Sequence, residues 1–356
     1  QYSLNASVSQ VMPGNGRVGF FSQSGAFGQS ILAQFAVRGL GLSRFISAGN
    51  RAVVCGNDLL QYWVEVPNTD VVLLYLESIG NPRKFSRVSR RLSRSKPIVA
   101  VKTGMSTQGA PLGADAAMSV VPPSAIVALF RQSGVVRVDT LNEMFDVAAL
   151  LAYQPMPSGP NVAIVGNSDA LGLLTSDAAA SAGLHVVGPP VDLGTDAGAA
   201  EFDPALRASA TDDRVDAMVV VYAPRVESRA PEVAAVLAAV AAVTQKPIVT
   251  TFLGSHGVPE ALRVVDSRGV LQVGSVPSYP SPEEAVRALA RAVEYSSWRN
   301  RPTGGVPQLD DLDEAVARMV AESVLAESPD GRELTVDELT DVLAAYGIEL
   351  YPMVPA

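Results

Sequence analysis

The sequence predicts an α/β protein in which two doubly wound parallel sheets repeat each other along the chain. Residues 18–39 and 162–183 share one pattern without a gap: a short apolar run, a turn of small and polar residues, and an Ala-rich helix closed by glycine. Strands that alternate with helices of this length indicate βαβ units and hence parallel sheets. Two later predicted strands are also repeated in order, at residues 69–78 and 215–224 and at residues 96–104 and 246–254.

The first repeat contains five predicted strands and four clear helices. The strands are predicted at Val18–Ser22, Arg44–Ala48, Val71–Glu77, Ile98–Thr103 and Val135–Val138. The helices are predicted at Phe27–Val37, Asp58–Glu65, Arg83–Ser95 and Leu141–Leu151. Asn57 or Asp58 is expected to cap the second helix, because both residue types favour that position. The strands are continuous apolar runs, which is typical of sheets covered on both faces.

Linkers rich in proline and glycine divide the rest of the chain. The predicted domains are residues 1–153, a linker at 154–161, a second domain at 162–297, and a linker with two helices at 298–356. The last two helices are predicted at Leu312–Glu327 and Thr335–Ala345. Thr335 and Glu338 form a capping box at the start of the last helix, and Gly347 ends it. A further strand is expected to begin at Ile348–Tyr351.

Composition excludes several classes of protein. The 356 residues are 48% hydrophobic and carry a formal net charge of −9, which argues against nucleic acid or an anionic membrane as the main partner. The single cysteine, Cys55, excludes an internal disulfide and is typical of a reducing compartment. The longest apolar run, 233–243, is too short to span a bilayer, and no signal peptide is visible. A soluble, cytoplasmic fragment is therefore expected.

The two strand-to-helix turns are the first candidate ligand sites. The turns follow equivalent strands and open onto helix N-termini, where anions bind favourably. The candidate ligand-binding residues are Ser22, Gln23, Ser24 and Gly25 in the first turn, and Asn167 and Ser168 in the second. Two such turns suggest one phosphate or carboxylate centre built between the repeats. The alternative is that these serines only cap helices, and in the second turn Asp169 places a negative charge where an anion would bind.

Five segments in order resemble the NDP-forming acyl-CoA synthetases, relatives of succinyl-CoA synthetase. They are GRVGFFSQSGAFGQSIL, ISAGNRAVVCGNDLLQYW, TDVVLLYLESIGNPRKF, KPIVAVKTG and LFRQSGVVRVDTLNEMFDVA. The second repeat, with SYPSPEEAVRALARAVEY, is similar to the other ligase domain of that family, and ELTVDELTDVLAAYGIELYP is similar to the segment leading into its ATP-grasp domain. The resemblance implies two flavodoxin-like domains followed by a helical remnant.

The resemblance also implies cofactors and partners. In full-length members a CoA-binding Rossmann domain precedes these domains and an ATP-grasp domain follows, so CoA or acetyl-CoA, and ATP with Mg²⁺, would be bound by other domains of the same polypeptide. In the family reaction, ATP phosphorylates a histidine, the phosphoryl group passes to the acid, and CoA displaces phosphate. The two helix N-termini hold the phosphohistidine. A homo-oligomer is a further expectation, with no nucleic acid or membrane partner.

The histidine that the resemblance implies is missing. The matching position falls near Ala116, in a stretch from Met105 to Ser124 without histidine. Asp115 is the nearby alternative, although an aspartyl phosphate would need Mg²⁺ and a basic partner. Glu77 matches the family glutamate that contacts the histidine, and without that contact it is a carboxylate at a strand end. Of the two histidines present, His185 is expected to be structural, and His256 is expected at the carboxyl edge of the second sheet, where ligands bind.

Three functional hypotheses follow. The first is a catalytically degenerate acyl-CoA synthetase-like region that serves as a CoA- or acetyl-CoA-linked regulatory or structural module of a larger GNAT-type acetyltransferase. The alternative is part of an active ADP-forming acyl-CoA synthetase that uses a non-standard nucleophile such as His256. The third is an architectural module that binds no ligand. No residue in this sequence is a firm catalytic candidate, and no metal ligand set is visible.

Overall fold

The computed structural model describes residues 12–25, 28–48, 55–104, 122–224, 229–305, 309 and 312–350. The chain divides into two compact units, Gln1–Arg301 and Pro302–Ala356. The first unit contains both parallel sheets, and the second contains two helices. The predicted subdivision of the first unit at residues 154–161 stays a prediction.

The first sheet has five parallel strands in the order β2-β1-β3-β4-β5. The strands are β1 (Asn15–Ser22), β2 (Leu42–Ser47), β3 (Val71–Leu76), β4 (Ile98–Lys102) and β5 (Val135–Val138). The helices are α1 (Gly28–Val37), α2 (Gly56–Glu65), α3 (Pro82–Ser93), α4 (Pro123–Ser133) and α5 (Leu141–Tyr153). Every side chain of β3 is buried, because helices cover both faces of the sheet. This strand order is that of the flavodoxin-like fold.

The second sheet repeats this arrangement, but its strands β7 and β8 have only two residues each. Its strands are β6 (Asn161–Gly166), β7 (His185–Val186), β8 (Val191–Asp192), β9 (Ala217–Tyr222) and β10 (Ile248–Phe252). Its helices are α6 (Asp169–Ser181), α7 (Ala199–Thr211), α8 (Ala230–Ala241) and α9 (Pro282–Asn300), with a short 3₁₀ turn at Glu260–Leu262. The order is β10-β9-β6-β7, with β8 also pairing β6, and every pairing is parallel.

The predicted duplication is visible in the pairing of the strands. In the first sheet β1 lies beside β3, which lies beside β4; in the second, β6, β9 and β10 stand in the same relation. The short strands β7 and β8 pair with β6 as β2 pairs with β1. An isolated parallel bridge between Thr250 and Ser278 takes the place of β5. The α/β fold with two parallel sheets is therefore as predicted.

One hydrophobic core runs through both halves of the first unit. From Glu143 to Tyr153 every side chain of α5 is buried, and the cluster around α5 extends from Phe20 and Phe35 in the first repeat to Val162 and Leu289 in the second. Helix α9 packs against both α5 and α6. Two smaller clusters fill the opposite faces of the two sheets. The shared helices α5 and α9 thus join the two repeats.

Local differences from the prediction have identifiable causes. Helix α4 was not predicted. Helix α2 begins at Gly56 with Cys55 as its N-cap, so Asp58 lies at the third helical position, where its carboxylate accepts the Cys55 N–H at 3.0 Å. Residues 348–350 form no strand, and Tyr351 lies outside the described residues. Helix α4 begins at a proline, and the segment 348–350 is only three residues long, so their local patterns are weak.

The second unit is a pair of helices, α10 (Glu314–Glu327) and α11 (Val336–Ala345). The predicted capping box is present: the Thr335 hydroxyl accepts the Glu338 N–H at 3.3 Å, and the Glu338 carboxylate accepts the Thr335 N–H at 2.7 Å. Gly347, with φ of 71°, follows the end of α11 as predicted. A cavity of about 340 Å³ lies between the helices, lined by Ala317, Leu334 and Tyr346 among others.

Candidate functional site

The first candidate site lies at the carboxyl edge of the first sheet. Parallel strands end at one edge, and here Ser22 pairs with Tyr75 while Leu76 pairs with Lys102. The turn after β1 therefore lies beside Glu77, which follows β3, and beside Lys102, which ends β4. Open α/β sheets bind their ligands at this edge.

Gln23 joins two of these strand ends. Its side chain is 5% exposed, and its Oε1 accepts the N–H groups of Glu77 at 2.7 Å and Ser78 at 2.9 Å. Its Nε2 donates to the Ser78 carbonyl at 2.9 Å. The amide thus satisfies backbone groups at the end of β3.

Asn167 makes the equivalent contact in the second repeat. It lies 144 positions after Gln23, the offset that relates the two repeats. Its Oδ1 accepts the Ala223 N–H at 2.8 Å and its Nδ2 donates to the Ala223 carbonyl at 3.0 Å, with the side chain 1% exposed. A buried amide therefore ties the first strand of each repeat to the strand beside it. Both residues are ligand-binding candidates by sequence.

The remaining residues of the two turns differ in exposure. The Ser22 hydroxyl is buried and bonds within the turn, donating to the Ser24 carbonyl at 2.9 Å and accepting the Ser24 N–H at 3.0 Å. Gly25 is exposed, and a Cβ built there would meet no atom within 4 Å. Ser168 is the N-cap of α6 but makes no side-chain capping bond, and Asp169 is exposed in its first turn. Anion binding by these turns stays a prediction, and residues 26–27 lie outside the described part of the chain.

Lys102 and Glu77 face the same edge. Glu77 is exposed, whereas Lys102 is half-buried and its Nζ donates to the neighbouring Thr103 carbonyl. Burial lowers the pKa of Lys102, and the negative charge of Glu77 opposes that shift. Lys102 was not singled out from the sequence, although its place as the last residue of an apolar strand was a usable signal.

A second polar cluster lies at the start of α2. The Asp58 carboxylate accepts the Cys55 thiol at 3.0 Å through Oδ2, and its Oδ1 pairs with Lys84 Nζ at 2.6 Å. The thiol bond and then the lysine lower the pKa of Asp58 well below its usual range, and the same pairing raises the pKa of Lys84. Both oxygens of the Asp58 carboxylate are therefore bonded within this cluster.

The two histidines have different surroundings. His256 Nε2 lies 3.3 Å from Asp146 Oδ1, and the same carboxylate oxygen pairs with buried Arg38. His256 is one-third exposed, so the pair is accessible from one side. His185 is exposed in β7, where its backbone N–H donates to the Pro160 carbonyl at 2.9 Å. The His256 imidazole thus lies within hydrogen-bonding distance of a carboxylate, whereas the bond described for His185 is made by its backbone.

Two findings concern metals and membranes. Across the described ranges, no group of three or more His, Cys, Asp or Glu side chains is placed to hold a metal ion. Within the same residues, no helix combines the length and the apolar character needed to cross a membrane. Asp115 and Ala116, which mark the position implied for the phosphorylated histidine, lie outside the described residues.

Comparison with known proteins identifies the family. The model of the succinyl-CoA ligase-like flavodoxin domain matches residues 15–151. Acetate–CoA ligase (ADP-forming) I of Archaeoglobus fulgidus is 32% identical, covering 99% of this chain and 52% of its own length. The α subunit of acetate–CoA ligase (ADP-forming) I of Pyrococcus furiosus is 30% identical, covering 83% of this chain and 68% of its own length. This chain thus spans about half the length of the Archaeoglobus relative.

A solved structure agrees with these relatives. The acetyl-coenzyme A synthetase 1 of Ca. Korarchaeum cryptofilum, in complex with phosphate and ADP, has a TM-score of 0.70 and 27% identity. The match covers 81% of this chain and 66% of that one. With two repeated parallel sheets, the matched domain and an α subunit aligned over most of its length, this chain belongs to the NDP-forming acyl-CoA synthetase family, the succinyl-CoA ligase-like proteins.

Proposed function

We propose that this chain is the ligase-domain part of an ADP-forming acyl-CoA synthetase, which joins a carboxylic acid to CoA while ATP is converted to ADP and phosphate. The observation that carries the proposal is the alignment with the Pyrococcus acetate–CoA ligase α subunit over 83% of the chain. The relatives named above are ligases or synthetases, which favours this function over that of an inactive module. CoA and ATP with Mg²⁺ would be bound by other domains of the whole protein.

The phosphoryl acceptor is the step at which this chain departs from its family. The sequence has no histidine between Met105 and Ser124, so the candidate histidine acceptors within this chain are His185 and His256. His256 is the better candidate because the Asp146 carboxylate, 3.3 Å away, orients its imidazole and stabilises the positive charge that phosphorylation brings. In the proposed reaction the phosphoryl group then passes to the acid, and the thiol of CoA displaces phosphate from the acyl phosphate.

A second function is favoured by two observations. Ala116 stands near the implied histidine position, and Asp169 places a negative charge at the N-terminus of α6, where the second anion site would lie. Both departures suit a region that no longer transfers phosphoryl groups and instead serves as a CoA-linked module of a larger GNAT-type acetyltransferase. Association into a homo-oligomer and location in the cytoplasm are also part of this proposal.

Phosphoryl transfer from ATP separates the two functions. The chain is incubated with γ-³²P-labelled ATP and an ATP-grasp subunit of a relative, and acid-labile label on the chain is measured. The ligase proposal expects label that is lost in His256→Gln and retained in the matched control His185→Gln. Retention of label in both single variants refutes His256 as the acceptor. Absence of label from the unaltered chain refutes the ligase function for this region and favours the second candidate.

A further inference from the structure

Helix α3 carries a row of arginines on its outer side, which we call the arginine face. The apolar residues of the helix, Phe85, Val88 and Leu92, are buried at intervals of three and four positions. The arginine face consists of Arg83, Arg87, Arg90 and Arg91, all of them exposed. Positions four, seven and eight apart lie on one side of a helix, so these guanidinium groups follow one another along about two turns.

No acidic side chain of the described residues neutralises this face. None of its four arginines forms an ion pair with an Asp or Glu there, and Arg90 donates to the Gln132 backbone carbonyl at 3.4 Å. Lys84, on the same helix, holds the nearby Asp58 carboxylate at 2.6 Å. The adjacent helix α4 adds exposed Arg131 and contains no acidic residue. The arginine face is therefore a positive surface that lacks counter-ions among the described side chains.

Charge is divided unequally between the two units of the chain. The second unit, Pro302–Ala356, contains twelve Asp and Glu residues against two arginines and no lysine, a formal charge of −10. The whole chain carries −9, so the first unit is left with a formal charge of +1. Each copy of the protein therefore carries a strongly acidic unit as well as the arginine face.

Most carboxylates of the second unit are exposed. Arg332 pairs with Glu327 and Glu338. Asp337 and Asp341 on α11 are exposed, and no described Arg or Lys forms an ion pair with either of them. They lie four positions apart, on one side of α11, which is also the spacing of Arg87 and Arg91 on α3. The two helices thus present charges of opposite sign at the same interval.

We propose that the arginine face of one copy binds the acidic second unit of another copy, with Arg87 and Arg91 pairing with Asp337 and Asp341. Guanidinium groups bind carboxylates through two parallel hydrogen bonds, which favours arginine at such a surface. A second copy is favoured over a polyphosphate because the net charge of −9 repels polyphosphates at long range. The proposal depends on surface charge and is independent of the proposed ligase function.

The association is expected to be weak and sensitive to salt, because exposed ion pairs each contribute little and are screened. Sedimentation equilibrium of the full chain measures it. Because each copy carries both surfaces, reciprocal contacts close a dimer. The dissociation constant is expected to rise at least about tenfold between about 50 mM and about 500 mM NaCl. A chain that remains monomeric at about 200 μM in the low-salt buffer, or a dimer that does not respond to salt, overturns the proposal.

Charge reversal tests which surfaces meet. Arg87→Glu with Arg91→Glu, and separately Asp337→Arg with Asp341→Arg, should each weaken self-association at least about tenfold, because like charges then face each other. An equimolar mixture of the two double variants should associate again, because every contact between them joins opposite charges. This recovery also shows that both variants are folded.

The matched control is Arg214→Glu with Arg268→Glu, which makes the same change of net charge at exposed arginines outside α3. It should associate more tightly than the α3 variant. A control that weakens association as much as the α3 variant, or a mixture no more associated than its components, overturns the proposal. Association that is lost after nuclease treatment would assign the arginine face to nucleic acid and would overturn the second copy as its partner.

Discussion

Replacing Asp146 with leucine is expected to destabilise the first unit strongly, because it removes the partner of a buried arginine. The side chains of Arg38 and Asp146 are 4% and 7% exposed. Arg38 lies just after α1 in the first repeat, and the same carboxylate holds His256 from the second repeat at 3.3 Å. The substitution therefore leaves a buried guanidinium without a counter-ion and frees the loop that carries His256.

The size of the effect follows from the remaining contacts of Arg38. Removing one partner of a buried ion pair costs about 3–5 kcal/mol. Arg38 keeps bonds to the side chains of Asn142 at 3.0 Å and Gln34 at 3.4 Å, so the low end, about 3 kcal/mol, is expected. A unit of this size has a urea m-value of about 3 kcal/mol/M, so the unfolding midpoint should fall by about 1 M.

Urea unfolding followed by fluorescence and by circular dichroism measures this shift. The matched control is Asp203→Ala, which removes an exposed pair with Arg207 at 2.9 Å and should leave the unfolding midpoint nearly unchanged. The double variant Arg38→Met with Asp146→Leu removes both charges and should recover most of the loss, because apolar residues replace buried ion pairs at little cost. A midpoint for Asp146→Leu within 0.3 M of the control, or a double variant as unstable as the sum of its singles, would refute this reasoning.

Two further predictions concern a helix end and the second unit. Gly134→Ala should destabilise by about 2–5 kcal/mol in thermal unfolding, because φ is 72° and the new Cβ would lie 2.3 Å from the Trp298 ring. Gly183 has φ of 77° but open space around it, so Gly183→Ala should cost only the backbone strain, about 1–2 kcal/mol. Equal losses of stability in the two variants would show that the Trp298 indole moves aside without cost. Arg332 and the capping contacts lower the pKa of Glu338 to about 2, so the stability that this group adds to α11 is complete above about pH 4.5 and is lost as the pH falls towards 2. The carboxyl chemical shift of Glu338 should titrate with a midpoint near pH 2 in the intact chain and at a higher pH in Arg332→Gln. A midpoint near pH 4.5 in the unaltered chain would contradict the contact between Arg332 and Glu338.

The sequence by itself determined the fold and the duplication. Apolar strands, Ala-rich helices and glycine stops depend on neighbouring residues, and their order repeats at offsets of 144 to 150 positions, so two repeated parallel sheets could be predicted. The capping box of Thr335 and Glu338 was also predictable, because it lies within four residues. Helix α4 was not, because its segment begins with two prolines and has a weak pattern.

Only the tertiary structure decided which groups the candidate residues contact. Whether the Gln23 amide faces a ligand or the backbone depends on Glu77 and Ser78, more than 50 positions away, and the same holds for Asn167. The contact between His256 and Asp146 joins residues 110 positions apart. Side-chain type limits the chemistry that each residue can perform, but the distances between strand ends and between helices, which packing sets, determine which groups meet.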